Sequence, residues 1–397
     1  MTRALTGRQR WGLALAVLPL LLYAWTGRAR LNDLRLYADT VHALLAGGVP
    51  NVDFRFEYPP YALLAFVPAG LAGGDAARFA FAFVLQLLLL DAALKWALLR
   101  EEGARRWLPL VLYALAAWVE SLHYLKRFDL VPAFLVFFAL RGLAGGRMVL
   151  AGALLSAGVM TKLYPVVVLP AALAWALQRG QGRRFCGGLA LGLLPLVPLS
   201  ALWPWWRFAS FHVERGLQVE SVWASVLWGL HRLGWVAQVQ WTQAVAAYEL
   251  HGAAAEAVRG WSRWVWVAGS LAAAGVAARA VRRLAPGDVA GQARVALLPL
   301  LAFVALNPVL SPQYLVWLMG PAALALTRGR WGVPAAVFAA VLLTRLVYTT
   351  DTYKVGYAPL HLLVLNARNF LLLWSTVALM WELWRGEQTG SGALAVQ

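Results

Sequence analysis

The sequence predicts an all-α polytopic membrane protein: a bundle of about twelve transmembrane helices with an amphipathic first outer loop and a re-entrant helix. Three observations predict it. Hydrophobic residues make up 61% of the 397 and charged residues only 13%, a balance that a water-soluble domain does not need. Apolar runs recur along the whole chain rather than at one end. The short loops between them gather arginine on one side, as the positive-inside rule requires.

The first run, 11–25, follows Arg3, Arg8 and Arg10 and is not closed by a small-x-small cleavage site. It reads as a retained membrane helix rather than a leader. Further runs at 77–99, 107–123, 128–142, 147–161, 163–178, 185–203, 261–282, 292–307, 312–327, 331–349 and 361–384 approach the roughly 20 apolar residues that a span needs. With the N-terminus cytoplasmic, the arginine-bearing loops 100–106, 141–147, 179–184, 279–294 and 328–330 all fall on one side.

Segment 58–74 (YPPYALLAFVPAGLAGG) is also apolar, but counting it as a span would put 95–106 outside. Its prolines Pro59, Pro60 and Pro68 and its closing glycines favour a re-entrant or interfacial helix. The outer face then collects 26–57, 123–129, 161–165, 204–260, 307–314 and 349–361. No tandem repeat or polar linker divides the chain. We therefore expect one domain over 1–397, with the outer loops 26–57 and 204–260 capping a site.

The net charge of +17 suggests nucleic acid at first sight. Its arginines sit in short loops between apolar runs, where cytoplasmic orientation and anionic lipid heads account for them. Membrane lipids, and no nucleic acid, are the partners this implies. The only cysteine, Cys186, excludes disulfides and thiolate metal sites within one chain. The six histidines show no metal-binding spacing. Tryptophans are dense between Trp203 and Trp266. An interfacial belt accounts for most of them, while a few are free to stack on sugar rings or line a prenyl groove.

The acids are scarce and unevenly placed. Of 18 acidic residues, Asp33, Asp39, Asp53 and Glu57 fall in the first outer loop, and ionisable groups at a membrane surface are usually retained for function. Leu34, Tyr37, Val41, Leu44 and Leu45 lie at helical spacing there. Two readings fit Asp33: Asn32 caps the helix and Asp33 complements its positive end, or Asp33 faces a cavity as a general base. Two readings also fit Glu57-Tyr58-Pro59-Pro60. The prolines hold Glu57 and Tyr58 rigidly at a helix mouth, or Glu57 is a solvated charge at a helix start.

An Asp33-x-x-x-Tyr37 element, a glycine-rich break and Phe56-Glu57-Tyr58-Pro59-Pro60 after a first membrane helix resemble the GT-C superfamily of integral-membrane glycosyltransferases. The chain resembles glycosyltransferase family 87 more closely, the bacterial polyprenyl-phosphomannose-dependent α-mannosyltransferases. Thr161-Lys162-Leu163-Tyr164-Pro165 agrees, as do Glu214-Arg215-Gly216 with Glu220-Ser221, and Asn307-Pro308 leading to Ser311-Pro312-Gln313-Tyr314. The likeness is spread over about residues 11–330.

The resemblance implies a GT-C-like bundle that moves a hexose, mannose in that family, from a polyprenyl-phosphate donor. The acceptor would be a lipid-linked or cell-envelope glycan on the outer side of a bacterial cytoplasmic membrane. It implies no metal and no cofactor. Carried over by position, Asp33 is the general base, and Glu57 and Asp129 are secondary acidic positions. Tyr37, Tyr58, Lys126, Arg127, Lys162, Tyr164, Arg215, Glu220, Gln313 and Tyr314 complete the expected substrate-binding set. The segment 123–129 departs from a one-acid junction by adding Lys126 and Arg127, so Asp129 acts on substrate or pairs with its neighbours.

A leaving phosphate needs cations where charge develops. The outer-side candidates are Lys126, Arg127, Lys162, Arg215, Arg345, Lys354 and Arg368, with Lys162 and Arg215 favoured by their motifs. For each one, snorkelling to lipid heads is the plain alternative. A transporter or flippase for lipid-linked sugars would show mirrored halves with acids at mid-membrane, whereas here the acids concentrate at one surface. A non-catalytic membrane scaffold is the third reading.

Overall fold

The apolar runs form helices, and the helices stop where proline, glycine or a charged residue interrupts them. The computed structural model describes residues 6–26, 32–73, 75–101, 107–212, 215–232, 238–242, 247–328, 330–348 and 359–386. Helix α1 covers Gly7–Thr26 and α2 covers Asn32–Leu45. A 3-10 turn, Pro60–Ala62, leads into α3, Leu63–Gly70. Then come α4 (Ala76–Leu99), α5 (Leu108–Val119), α6 (Ser121–Lys126), α7 (Leu130–Ala144) and α8 (Met148–Thr161). A second 3-10 turn, Tyr164–Val168, opens α9, Leu169–Gln178. Next are α10 (Gly182–Leu193), α11 (Leu196–Leu202), α12 (Val222–Arg232) and α13 (Ala253–Ala280). The chain closes with α14 (Val289–Ala305), α15 (Val316–Leu326), α16 (Gly332–Tyr348) and α17 (Pro359–Arg385).

Among the described residues four apolar helices are long enough to cross a bilayer: Ala76–Leu99, Gly182–Leu202, Ala253–Arg283 and Leu360–Arg385. The other expected spans are shorter helices, so length alone does not establish twelve crossings. The run expected at 107–123 breaks at Glu120, whose backbone leaves the helical region, and α6 starts afresh. The run at 185–203 is interrupted before Pro195, where the ring removes an N–H. Pro60–Gly70 measures on the order of 16 Å at 1.5 Å per residue, about half of a ~30 Å hydrocarbon core.

Small residues bring α8 and α10 together. Gly188 and Gly192 stand four apart on α10, and a Cβ on Gly188 would collide with the Val149 carbonyl of α8. A Cβ on Gly192 would lie 2.6 Å from the Ala153 carbonyl. This is the small-xxx-small packing by which membrane helices approach backbone to backbone.

A charged knot joins four helices. Lys95 Nζ lies 2.7 Å from Asp91 Oδ2, with both side chains fully buried, and it donates to the Ala16 carbonyl of α1. Tyr124 of α6 donates to Asp91 at 2.8 Å and shares a 2.7 Å bond with Tyr113 of α5. Charges survive at such depth only when paired and hydrogen-bonded, so the knot fixes α6 against α1, α4 and α5.

The cap over 204–260 departs from the all-helical expectation. It contains a three-stranded antiparallel sheet, β1 (Leu217–Gln218), β2 (Gln238–Thr242) and β3 (Ala247–His251), in the order β1-β3-β2. Glu249 pairs with Gln218 on one side and Gln240 on the other. Leu217, Leu227, Trp228 and Leu250 form a separate small core with Val347 and Leu365.

Candidate active site

The loop after α2 is built by its own polar side chains. Asp53 accepts from the Val49 N–H at 2.7 Å, and the Asn51 amide oxygen accepts from Phe56 N–H at 2.9 Å. Asn51 adopts a φ of 61°, a left-handed conformation that Asn tolerates. The turn delivers Glu57 and Tyr58 to the first proline, and Pro59 and Pro60 are buried behind them. Asp53 is thus a loop-building carboxylate, and Asp39 is exposed on α2.

Helix α2 presents Leu34, Tyr37, Ala38 and Val41 inward. The Tyr37 ring stacks on Phe66 of α3 at 4.3 Å and meets Tyr58 edge-on at 6.4 Å. Tyr58 in turn meets Phe128 at 4.9 Å. An aromatic path therefore runs from α2 to the α6–α7 junction. Burial pushes the Tyr58 hydroxyl well above the usual phenol range, and the charges of Tyr37 and Glu57 add to the shift while Arg127 opposes it.

At the junction Asp129, 1% exposed, accepts two bonds on Oδ1: Lys162 Nζ at 2.7 Å and Trp317 Nε1 at 2.7 Å. Tyr164 and Tyr314 both stack on Trp317, at 4.0 Å and 4.1 Å respectively. Lys162 Nζ also lies 4.8 Å from the Phe128 ring centre and 5.4 Å from that of Trp317. Burial lowers the Lys162 amine from its ordinary value, Asp129 raises it, and the nearby charges of Arg127 and Arg215 lower it again. Asp129 Oδ2 and the Tyr164 hydroxyl are buried and have no hydrogen-bond partner among the described residues.

Arg215 comes from the cap. Its guanidinium lies 3.8 Å from Glu57, and Tyr314 is within the electrostatic reach of Arg215, Asp129 and Glu57. Two side chains hold the Arg215 backbone. Glu249 accepts from the Gly216 N–H at 2.6 Å, and Arg263 donates to the Arg215 carbonyl at 2.8 Å. A Cβ at 216 would press within 2.7 Å of the Glu249 carboxyl, so a side chain there would displace the carboxylate from the Gly216 N–H.

The structure thus gathers Glu57, Tyr58, Arg127, Asp129, Lys162, Tyr164, Arg215 and Tyr314 into one cluster, with Tyr37 along the aromatic path. Lys126 and Gln313 are half-buried beside it in sequence. Glu220 is engaged elsewhere: Arg368 Nη1 meets its carboxylate at 2.7 Å and Nη2 its carbonyl at 2.6 Å, all buried. Arg368 therefore ties the cap to α17. The Asp33 backbone belongs to α2, and its side chain lies outside the described residues, as does Lys354. Trp317, Phe128, Glu249 and Arg263 were not anticipated. The aromatic that follows Gln313-Tyr314 by one turn was the sequence signal for Trp317. Among the described residues no three His, Cys, Asp or Glu side chains stand together as a metal site.

Fold and site together define an integral-membrane helical protein with a buried acid–cation–aromatic cluster where short helices meet the segment that carries the small sheet. The model of glycosyltransferase family 87 matches residues 56–263, just over half of the chain, and the chain belongs to that family. It is thus a glycosyltransferase. The match encloses Glu57 through Glu220, whereas Asp33, Tyr37, Gln313 and Tyr314 lie outside it. The comparison with curated proteins gives no match.

Proposed function

We propose that the protein transfers a hexose, mannose in our reading, from a polyprenyl-phosphate donor to a lipid-linked or cell-envelope glycan. The reaction runs on the outer side of a bacterial cytoplasmic membrane. One observation carries the reading: a buried carboxylate oxygen and a buried phenol without partners, Asp129 Oδ2 and Tyr164, stand within reach of Lys162, Arg127 and Arg215. Such atoms call for a polar ligand, and the surrounding charge suits an anionic one.

The chemistry has a defined charge flow. The acceptor hydroxyl oxygen bonds to the anomeric carbon as the bond from that carbon to the phosphate oxygen breaks, and the electron pair leaves with the phosphate. A donor phosphodiester with one negative charge becomes a monoester that carries nearly another. Lys162, Arg215 and Arg127 stabilise that added charge where it develops. The hydroxyl proton passes to Asp33, four residues before Tyr37 on α2 and one helical turn from the aromatic path. Asp129 Oδ2 and Tyr164 hold sugar hydroxyls, and the ring stack around Trp317 gives the sugar an apolar face.

Helix length supports a lipid-borne donor. Helices α7 and α8, with 15 and 14 residues, are about 22 Å long. Asp129 and Lys162 at their outer ends therefore lie about 22 Å from the arginine-bearing loop 141–147. A full hydrocarbon core is ~30 Å, so helices of this length suit a cluster that meets a donor held in the membrane. Asp33→Asn is expected to fold like the wild type, by circular dichroism and gel filtration, and to lose transfer. Full transfer by that variant would remove Asp33 as the base.

A further inference from the structure

At the opposite end of the bundle, α13 and α17 enclose an apolar groove of about 550 Å³ that takes no part in the site described above. Its walls are Val276 of α13 and Trp374, Val377, Met380, Trp381 and Trp384 of α17. These α17 positions recur at helical spacing, so they form one stripe. Val377, Trp381 and Trp384 are more than half exposed.

The groove ends in two arginines. The Arg279 guanidinium lies 4.7 Å over the Trp384 ring, and that of Arg385 lies 3.9 Å over the Trp381 ring. Neither forms an ion pair among the described residues. The neighbouring acid, Glu382, is held by Arg294 and Arg330 instead. Two uncompensated guanidinium groups thus stand on tryptophan shelves at the mouth of an apolar slot. Arg282, Arg283, Arg328 and Arg330 mark this end of the helices as the cytoplasmic one under the positive-inside rule.

We propose that the groove binds one acyl chain of an anionic glycerophospholipid of the cytoplasmic leaflet, with the lipid phosphate on Arg279 and Arg385. The dimensions agree. From Trp374 to Arg385 the helix rises about 16 Å, close to the ~15 Å hydrocarbon depth of one leaflet. A guanidinium placed over an indole face can still present its N–H edge, the part that binds phosphate. An acyl chain lying along the stripe fills the slot, and the headgroup charge meets the arginines.

The test uses the full-length protein in detergent, supplied with phosphatidylglycerol or phosphatidylcholine of identical chains, and native mass spectrometry of the retained lipid. The wild type should keep one phosphatidylglycerol with roughly thirty-fold preference, from two surface arginines. Arg279→Gln with Arg385→Gln should bring phosphatidylglycerol down to the phosphatidylcholine level. Val377→Trp, which fills the slot, should abolish retention of both, and both variants should melt as the wild type does in lipid-free detergent. Equal retention of the two lipids by the wild type would overturn the proposal. So would unchanged preference in the double arginine variant, or a protein dimer in place of the lipid adduct.

Discussion

Replacing Lys162 by methionine separates the two roles its position allows. The change removes the cation 2.7 Å from Asp129 and leaves a carboxylate that is 1% exposed with only the Trp317 bond. Breaking a buried pair from one side costs about 3–5 kcal/mol, because the remaining charge is uncompensated. Loss of one preorganised donor to a developing anion costs a further ~10²–10³ in kcat. Adding Asp129→Asn neutralises the stranded carboxylate, keeps its shape and leaves the Trp317 bond in place. The double variant should therefore regain most of the lost stability in a detergent melt. Its transfer rate should stay down by at least about 10². Recovery of rate together with stability would show that Lys162 is only a counter-ion, and the phosphate assignment would fail.

Three further outcomes follow from the same geometry. Lys162 is titrated below an ordinary lysine, first by its burial, and it binds phosphate only while charged. Transfer should then be full below that lowered value and fall as pH rises through it. Asp129→Asn should move this alkaline limb to lower pH and Arg215→Gln to higher pH, and a limb that stays put in both contradicts the coupling. Glu249→Ala leaves the Gly216 N–H without its 2.6 Å acceptor and loosens Arg215. A donor KM raised roughly tenfold is expected, about 1.4 kcal/mol, and an unchanged KM would clear Glu249 of positioning Arg215. Asp91→Leu strands the fully buried Lys95 and should cost about 3–5 kcal/mol in a detergent melt. The pair Asp91→Leu with Lys95→Met should recover most of that loss.

Much of this architecture was legible because membrane helices announce themselves by long apolar runs. Most runs from 77–99 onward are helices near the expected bounds, although those at 107–123 and 185–203 are broken in two and the one expected at 261–282 starts at Ala253. The α2 stripe faces inward at Leu34, Tyr37 and Val41, while Leu45 at its end is exposed. The cap sheet was not legible. Its strands are short, and Gln238–Thr242 carries no period-2 pattern of burial, so nothing in them outweighed the surrounding tryptophan-rich helical signal. The site was legible in part. Motif order pointed to Lys162, Arg215 and Tyr314, residues 152 positions apart at most, but no sequence rule pairs Lys162 with Asp129 or sets Trp317 against both. Glu220 and Arg368 illustrate the limit. Both have the chemistry of a substrate-binding residue, and only the fold reveals that each satisfies the other.

The central claim, transfer from a lipid-borne phosphate, is tested most directly by supplying purified protein with two labelled donors in parallel. One is polyprenyl-phosphomannose and the other a nucleotide-linked mannose, each mixed with a bacterial membrane lipid and glycan extract. Label is expected in a larger glycan product from the polyprenyl donor alone, with free polyprenyl phosphate released in equal amount. Transfer from the nucleotide sugar, or no transfer from the polyprenyl donor under conditions where the protein remains folded, would contradict it.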